Sequence, residues 1–311
     1  MSLRAELLRL GTRYYLKRPG GSADLATYRR QAAAFARWTR KPPASAGTVA
    51  VEAGGVPADY ITDRYEGERH ILFLHGGGFV VGSPALYRHV TWRLARAARA
   101  RLLIIDYRLA PRHPFPAALD DALAAYRWLL TNCAEPRSIA VVGDSAGGGL
   151  AFALMLRLRA EGTALPAAVA ALSPWTDLAL GGSSLRQNAS ADPMVHPAGV
   201  RRIAALYLAG ADPRHPYASP LHGDLRGLPP TLIQVGSDEV LRDDSVRMAE
   251  RMRAAGGDVE LEIWPRMPHV WHCFVPLIPE AGRGIERIGD FLYARMGYEA
   301  TPPVARLAPI T

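Results

Sequence analysis

Only two cysteines occur in 311 residues, Cys133 and Cys273, and neither has a second cysteine close by in sequence. A disulfide framework and a thiolate metal site are therefore both unsupported, and the two read as free, mostly buried thiols. Lysine is nearly missing: 35 of the 37 basic residues are arginine, Lys17 and Lys41 being the exceptions. The formal net charge is +8, yet no run of five or six basic residues occurs and no aromatics interleave them, which argues against a nucleic-acid partner. No apolar segment approaches the length of a membrane span, and Arg4, Arg9 and Arg13 interrupt the apolar stretches at the amino terminus. Neither stable membrane insertion nor a signal peptide is expected, and a cytoplasmic protein is. The nine histidines form no His-Glu-x-x-His pattern, so no metal is expected. The chain is 49% hydrophobic and 21% charged, without internal repeats, which fits one globular domain with insertions.

The first 47 residues carry helical periodicity, with Leu3, Leu7 and Leu8, then Tyr14 and Tyr15, on one side, and a second helical segment from Ala23 to Trp38. Such a pair either lies on a membrane surface as a basic amphipathic unit or packs on the body as a cap. The cap is expected, because Lys41-Pro42-Pro43 leads straight into a globular region. From Thr48 to Asp63 two alternating stretches flank Gly54-Gly55, the pattern of an antiparallel hairpin.

After the hairpin, compact apolar runs at Ile71–Leu74, Leu102–Ile105, Ile139–Val142, Ala167–Leu172 and Thr231–Val235 alternate with helical patterns at Asp120–Leu130, Gly147–Arg159 and Arg242–Ala255. This alternation predicts an α/β fold, a mostly parallel sheet with helices on both faces. A last strand, Val259–Trp264, precedes a helix from about Ala281 to Met296. The rhythm breaks between residues 181 and 215, where a second cap element is expected, so the core divides into 48–180 and 216–298, with 299–311 a loose tail.

Reactive groups in open α/β sheets gather at the carboxyl ends of strands. After Ile139–Val142, Gly143-Asp144-Ser145-Ala146-Gly147 turns directly into a helix, the G-x-S-x-G elbow that lifts a serine hydroxyl above the sheet. Ser145 is the candidate nucleophile. After Ile71–Leu74, His75-Gly76-Gly77-Gly78-Phe79 supplies consecutive glycines whose amides can converge on an oxyanion; Gly77 and Gly78, with the Ala146 amide, are the candidate donors. A phosphate-cradling loop is not indicated, since the Gly-Lys-Ser/Thr ending is absent. His75 reads as structural.

An acid and then a histidine must follow the nucleophile. Asp238, in Gly236-Ser237-Asp238 just past strand Thr231–Val235, is the preferred acid; Glu239, Asp243 and Asp244 stand nearby, the last two inside the following helix. For the base, His269 on the loop after the last strand is preferred over His272, which lies three residues further on, and His196, His215 and His222 read as surface histidines.

Together these residues resemble the hormonesensitive-lipase-like family of bacterial serine esterases, marked by His75-Gly76-Gly77-Gly78 and Gly143-Asp144-Ser145-Ala146-Gly147. Further matching blocks are Asp106-Tyr107-Arg108-Leu109-Ala110-Pro111, His113-Pro114-Phe115-Pro116-Ala117-Ala118, Ser173-Pro174-Trp175-Thr176-Asp177 and Asp238-Glu239-Val240-Leu241-Arg242-Asp243. The resemblance implies an α/β-hydrolase fold with a cap, a triad on Ser145, Asp238 and His269, and hydrolysis of short- to medium-chain esters without a cofactor. Two departures stand out: Arg112 where the family usually has Glu, and Gly149 where many members have Asn. An amidase or peptidase on the same triad is the alternative enzyme. A non-catalytic small-molecule receptor of this fold is the alternative outside catalysis. The partner expected is a small ester, or a lactone, and open sheet edges leave room for a homodimer.

Overall fold

The structure is a computed structural model of the 311-residue chain, and it describes residues 1–16, 25–30, 42–43, 46–62, 67–132 and 135–297. The expected second amino-terminal helix is described only over 25–30, which is helical; Cys133 and the 299–311 tail lie outside the described residues.

Eight strands form one sheet: β1 Gly47–Ala53, β2 Val56–Thr62, β3 His70–Leu74, β4 Arg101–Ile105, β5 Ile139–Asp144, β6 Ala168–Leu172, β7 Thr231–Gly236 and β8 Val259–Trp264. Their order is β1-β2-β4-β3-β5-β6-β7-β8, with β2 antiparallel to both neighbours and every other pairing parallel. The hairpin predicted around Gly54-Gly55 is β1–β2; both glycines have positive φ, 65° and 85°, as a two-residue hairpin turn requires. The helices are α1 Leu3–Leu16, α2 Pro84–Ala97, α3 Ala117–Asn132, α4 Ala146–Ala160, α5 Ser184–Gln187, α6 Pro197–Leu208, α7 Arg242–Ala254 and α8 Pro279–Arg295. None of the described helices is long and apolar enough to cross a membrane.

The period-2 alternation of the strands divides the interior into two cores. Leu72, Leu74, Leu103, Ile105, Val141 and Ile233 pack with α3, α4 and α7 on one face. Ile71, Phe73, Leu102, Ile104, Val142 and Leu232 pack with α2 and α8 on the other. The central strands β3 to β7 are therefore buried almost throughout and mostly apolar, as a sheet covered on both faces demands. From β3 the chain runs to β4 on one side and later to β5 on the other, so the topological switch lies between the carboxyl ends of β3 and β5. That is where a sheet of this kind opens a crevice for a ligand.

Helix α1 departs from the sequence expectation in its rotation. Leu3, Leu7 and Tyr14, expected to face one packed side, are 77%, 60% and 66% exposed, while Ala5 and Thr12 are buried. Polar anchors set this rotation: Ser2 donates from its hydroxyl to Glu280 at 2.8 Å, and Arg266 pairs with Glu6 at 3.1 Å. These bonds hold the small side chain of Ala5 against the body, with Leu8 half-buried against the second core as expected, and turn Leu3, Leu7 and Tyr14 outward.

Candidate active site

Ser145 stands between β5 and α4 with φ 52° and ψ −119°, a backbone conformation that L residues rarely adopt and that a nucleophile elbow stores. The turn closes only because glycines flank it. A Cβ on Gly143 would lie 2.2 Å from the Gly147 oxygen, and one on Gly147 would lie 2.0 Å from the Leu74 oxygen. The Ser145 hydroxyl is 2.9 Å from His269 Nε2. His269 lies on the loop between β8 and the short turn Trp271–Phe274, and its Nδ1 is 2.7 Å from a carboxylate oxygen.

That carboxylate belongs to Glu239, not to Asp238. Glu239 is fully buried; its Oε2 takes the His269 Nδ1–H, and its Oε1 accepts from the Gly236 amide at 2.6 Å and from the Ser173 hydroxyl at 2.7 Å. Asp238, half-buried, takes a bond from the hydroxyl of Ser237 at 2.8 Å and does not meet His269. The expected pairing of Asp238 with His269 is not made; Glu239, one residue further on, makes it. β7 runs to Gly236, and the longer glutamate side chain folds back across the turn to the amide three residues before it.

A carboxylate can only accept, so the proton sits on Nδ1 and leaves Nε2 to accept from Ser145. Burial pulls the His269 pKa down, but the hydrogen bond and charge of Glu239, with Asp192 and Asp144 behind it, outweigh burial and the net shift is upward. His272 has no such role: it is buried, 2.7 Å from the Gln234 side-chain oxygen, and burial depresses its pKa to about 3. His75 is buried and stacked on Tyr107, gives its Nδ1–H to the Gly76 carbonyl at 2.8 Å, and has a pKa lowered by burial to about 4. His215 and His222 are half-buried rather than surface residues, and His222 Nε2 lies 3.0 Å from the buried Asp177 carboxylate. His196 is exposed and caps α6.

The glycine loop after β3 borders Ser145. Gly77 and Gly78 have φ 116° and 63°, and side chains there would collide with the Val81 carbonyl oxygen and with Ile203 of α6. Ala146 is the first residue of α4, where an amide has no intrahelical acceptor and the helix dipole presents its positive end.

This strand–elbow–helix serine, backed by a histidine and a buried acid at the switch of a mostly parallel sheet, agrees with what the chain matches among known proteins. Residues 71–273 match the α/β-hydrolase fold family. An acetyl-hydrolase of Streptomyces hygroscopicus is 47% identical over 256 residues, covering 82% of this chain and 84% of that protein. An esterase of Acinetobacter venetianus is 35% identical, covering 78% of this chain and 80% of that protein. The crystal structure of an esterase from the bacterial hormone-sensitive lipase family superposes with a TM-score of 0.91 at 43% identity, covering 96% of this chain and 99% of that one. The chain is an α/β-hydrolase of the bacterial hormone-sensitive-lipase family.

In this α/β-hydrolase a cavity of about 240 Å³ opens at Ser145 and His269, walled mainly by Tyr28, Val81, Leu86, Met194, Val270 and Phe274. Tyr28 comes from the amino-terminal helical segment and Met194 from the 181–215 insertion, so both elements that sequence assigned to a cap reach the site. Of the two departures from the family pattern, Arg112 is exposed and makes no ion pair among the described residues. Gly149 has a packing reason, since a Cβ there would lie 2.0 Å from the Trp175 carbonyl oxygen.

Sequence reasoning missed three groups besides Glu239. Ser173, with φ 47°, donates to Glu239 and accepts the Val270 amide at 3.2 Å, joining the acid to the histidine loop. Asp144 and Tyr87 hold the glycine loop: the Gly76 amide donates to Asp144 at 2.8 Å and to the Tyr87 oxygen at 3.1 Å, and the Tyr87 hydroxyl donates to Asp144 at 2.8 Å. Burial raises the Asp144 pKa to about 6 against the lowering effect of those donors. Ser173 and Asp144 stand in blocks that carry the family resemblance and Tyr87 in none, and nothing local tells which groups they touch.

Proposed function

We propose that this hydrolase is a serine carboxylesterase that works through an acyl-enzyme on Ser145, with His269 as general base and acid and Glu239 as the third member of the triad. The observation that carries this reading is the unbroken chain from the Ser145 hydroxyl through His269 to the buried Glu239, with links of 2.9 and 2.7 Å. His269 Nε2 takes the serine proton as Oγ attacks the ester carbonyl, and the imidazolium so formed is held by Glu239. Charge develops on the carbonyl oxygen, and the amides of Gly77, Gly78 and Ala146 stabilise it. The imidazolium returns its proton to the departing alcohol. Water, deprotonated by the same nitrogen, then releases the acid and frees the serine.

The cavity supports short to medium acyl groups: about 240 Å³ is below the 300–1,000 Å³ of typical sites for drug-sized ligands, and its wall is mostly apolar. The names of the relatives, acetyl-hydrolase and esterase, point the same way. No observation favours the amidase or receptor readings. The test is labelling with a fluorophosphonate followed by peptide mass spectrometry, together with rates on aryl esters of rising acyl length, a lactone and an anilide. Label on Ser145, loss of turnover in Ser145→Ala and a maximum at short or medium acyl length are expected. Ester turnover that persists without label on Ser145, or a preference for long emulsified triacylglycerols, overturns it.

A further inference from the structure

The 181–215 insertion does more than wall the cavity. Its first half approaches the turn that carries Glu239 and satisfies that turn's backbone almost group by group. Asn188 donates from Nδ2 to the Ser237 carbonyl at 3.0 Å and to the Glu239 carbonyl at 2.8 Å. Asp192, fully buried, accepts the Val240 amide on Oδ2 at 2.9 Å. Ser184 donates to the Val240 carbonyl at 2.7 Å and accepts the Asp243 amide at 3.0 Å, while the Ser183 hydroxyl donates to Asp243 at 2.6 Å. Buried backbone groups need such partners, and here they come from a segment some 50 residues earlier in the chain rather than from the turn itself. The brace is self-consistent, because the Asp192 amide donates to the Asn188 carbonyl at 2.9 Å. It also reaches the substrate side: Asp192 Oδ1 accepts the amide of Met194, which lines the cavity.

We propose that Asn188 and Asp192 are positioning residues for Glu239: they hold the turn so that the carboxylate meets His269, and they fix the same turn to the cavity wall at Met194. This rests on the reading of Glu239 as the acid of the triad. The charged and titratable groups around His269 are Glu239, Asp192, Asp144 and the buried His272. The cavity adds Tyr28, Tyr87 and Cys273, whose pKa values burial pushes up, so that they stay neutral over the working range. Asn188 carries no charge. Any change it causes in the titration of His269 must therefore pass through a displaced neighbour.

The test is a double-mutant cycle on the full chain with a short-acyl aryl ester. Asn188→Ala is expected to lower kcat about tenfold, on the scale by which small misplacements cost rate, with KM within about threefold. The acid limb of its kcat/KM profile should move to lower pH, because Glu239 then raises the His269 pKa less. In the Glu239→Gln background, Asn188→Ala should cost less than about twofold, since the group it positions is already lost. Thermal melting establishes that each variant folds. If Asn188→Ala does not, Asn188→Ser, likewise uncharged and too short to reach both carbonyls, takes its place in the cycle with the same expected coupling to Glu239→Gln. Equal costs in the two backgrounds overturn the brace. If Glu239→Gln itself is as active as the parent enzyme, the reading of Glu239 falls instead, and the two failures are thereby distinguished.

Discussion

Replacing Glu239 by glutamine tests the acid most directly, because the surroundings dictate how the amide must sit. Both partners of Oε1 are donors, the Gly236 amide at 2.6 Å and the Ser173 hydroxyl at 2.7 Å, so the glutamine oxygen stays there. Its NH2 group then occupies the Oε2 place, 2.7 Å from His269 Nδ1. An NH2 group can only donate, which strips Nδ1 of its proton and puts that proton on Nε2, facing the Ser145 hydroxyl across 2.9 Å. The base has become a donor. In serine hydrolases the wrong imidazole tautomer costs about 10⁴ in kcat, equivalent to about 5.4 kcal/mol of barrier. Glu239→Gln should therefore lose about 10³–10⁴ in kcat with little change in melting temperature, measured by steady-state hydrolysis of an aryl ester. Asp238→Asn should cost less than about threefold, its carboxylate meeting Ser237 and the charge of Arg9 rather than His269 among the described residues. The parent enzyme adds a check in pH. Catalysis needs neutral His269, whose pKa is raised, so kcat/KM should climb from the acid side with a midpoint above 6.5. A Glu239→Gln enzyme within tenfold of the parent, or an Asp238→Asn enzyme that loses more, would refute the assignment.

Two further outcomes follow from packing and from the glycine loop. Gly149→Asn, the residue common in the family, would bring a Cβ to 2.0 Å from the Trp175 carbonyl and should destabilise the fold by about 1–3 kcal/mol in urea denaturation; an unchanged midpoint would show that the 173–176 loop yields freely. Asp144→Asn should lower kcat, because the carboxylate ties both the Gly76 amide and the Tyr87 hydroxyl, yet by less than the roughly 10²–10³ that outright loss of one oxyanion donor costs. Parent-like kcat in that variant would mean that the loop holds its shape without Asp144.

The parts of this molecule that are legible in its sequence are those set by neighbours along the chain. Compact apolar runs mark the strands because burial on both faces leaves few polar positions, and the hairpin at Gly54-Gly55 announces itself through residues that tolerate positive φ. Ser145 and His269 could be proposed the same way, since Ser145 follows directly on β5 and His269 lies on the loop after β8. What the sequence hides is settled by contacts between distant residues. The rotation of α1 depends on Ser2 meeting Glu280 and Glu6 meeting Arg266, 278 and 260 residues away. Nothing in the helical period of Leu3, Leu7 and Tyr14 carries that information. The choice between Asp238 and Glu239 is subtler, because both follow β7 and both are acids. It turns on a hydroxyl 66 residues upstream, Ser173, and on bonds from Asn188 and Asp192 that fix the direction in which the turn leaves the strand. A loop reads as polar and irregular in sequence whether its side chains are solvated or bind another loop's backbone. The 181–215 stretch therefore looked like cap alone, although its serines, Asn188 and Asp192 are spent on the turn that aims the acid.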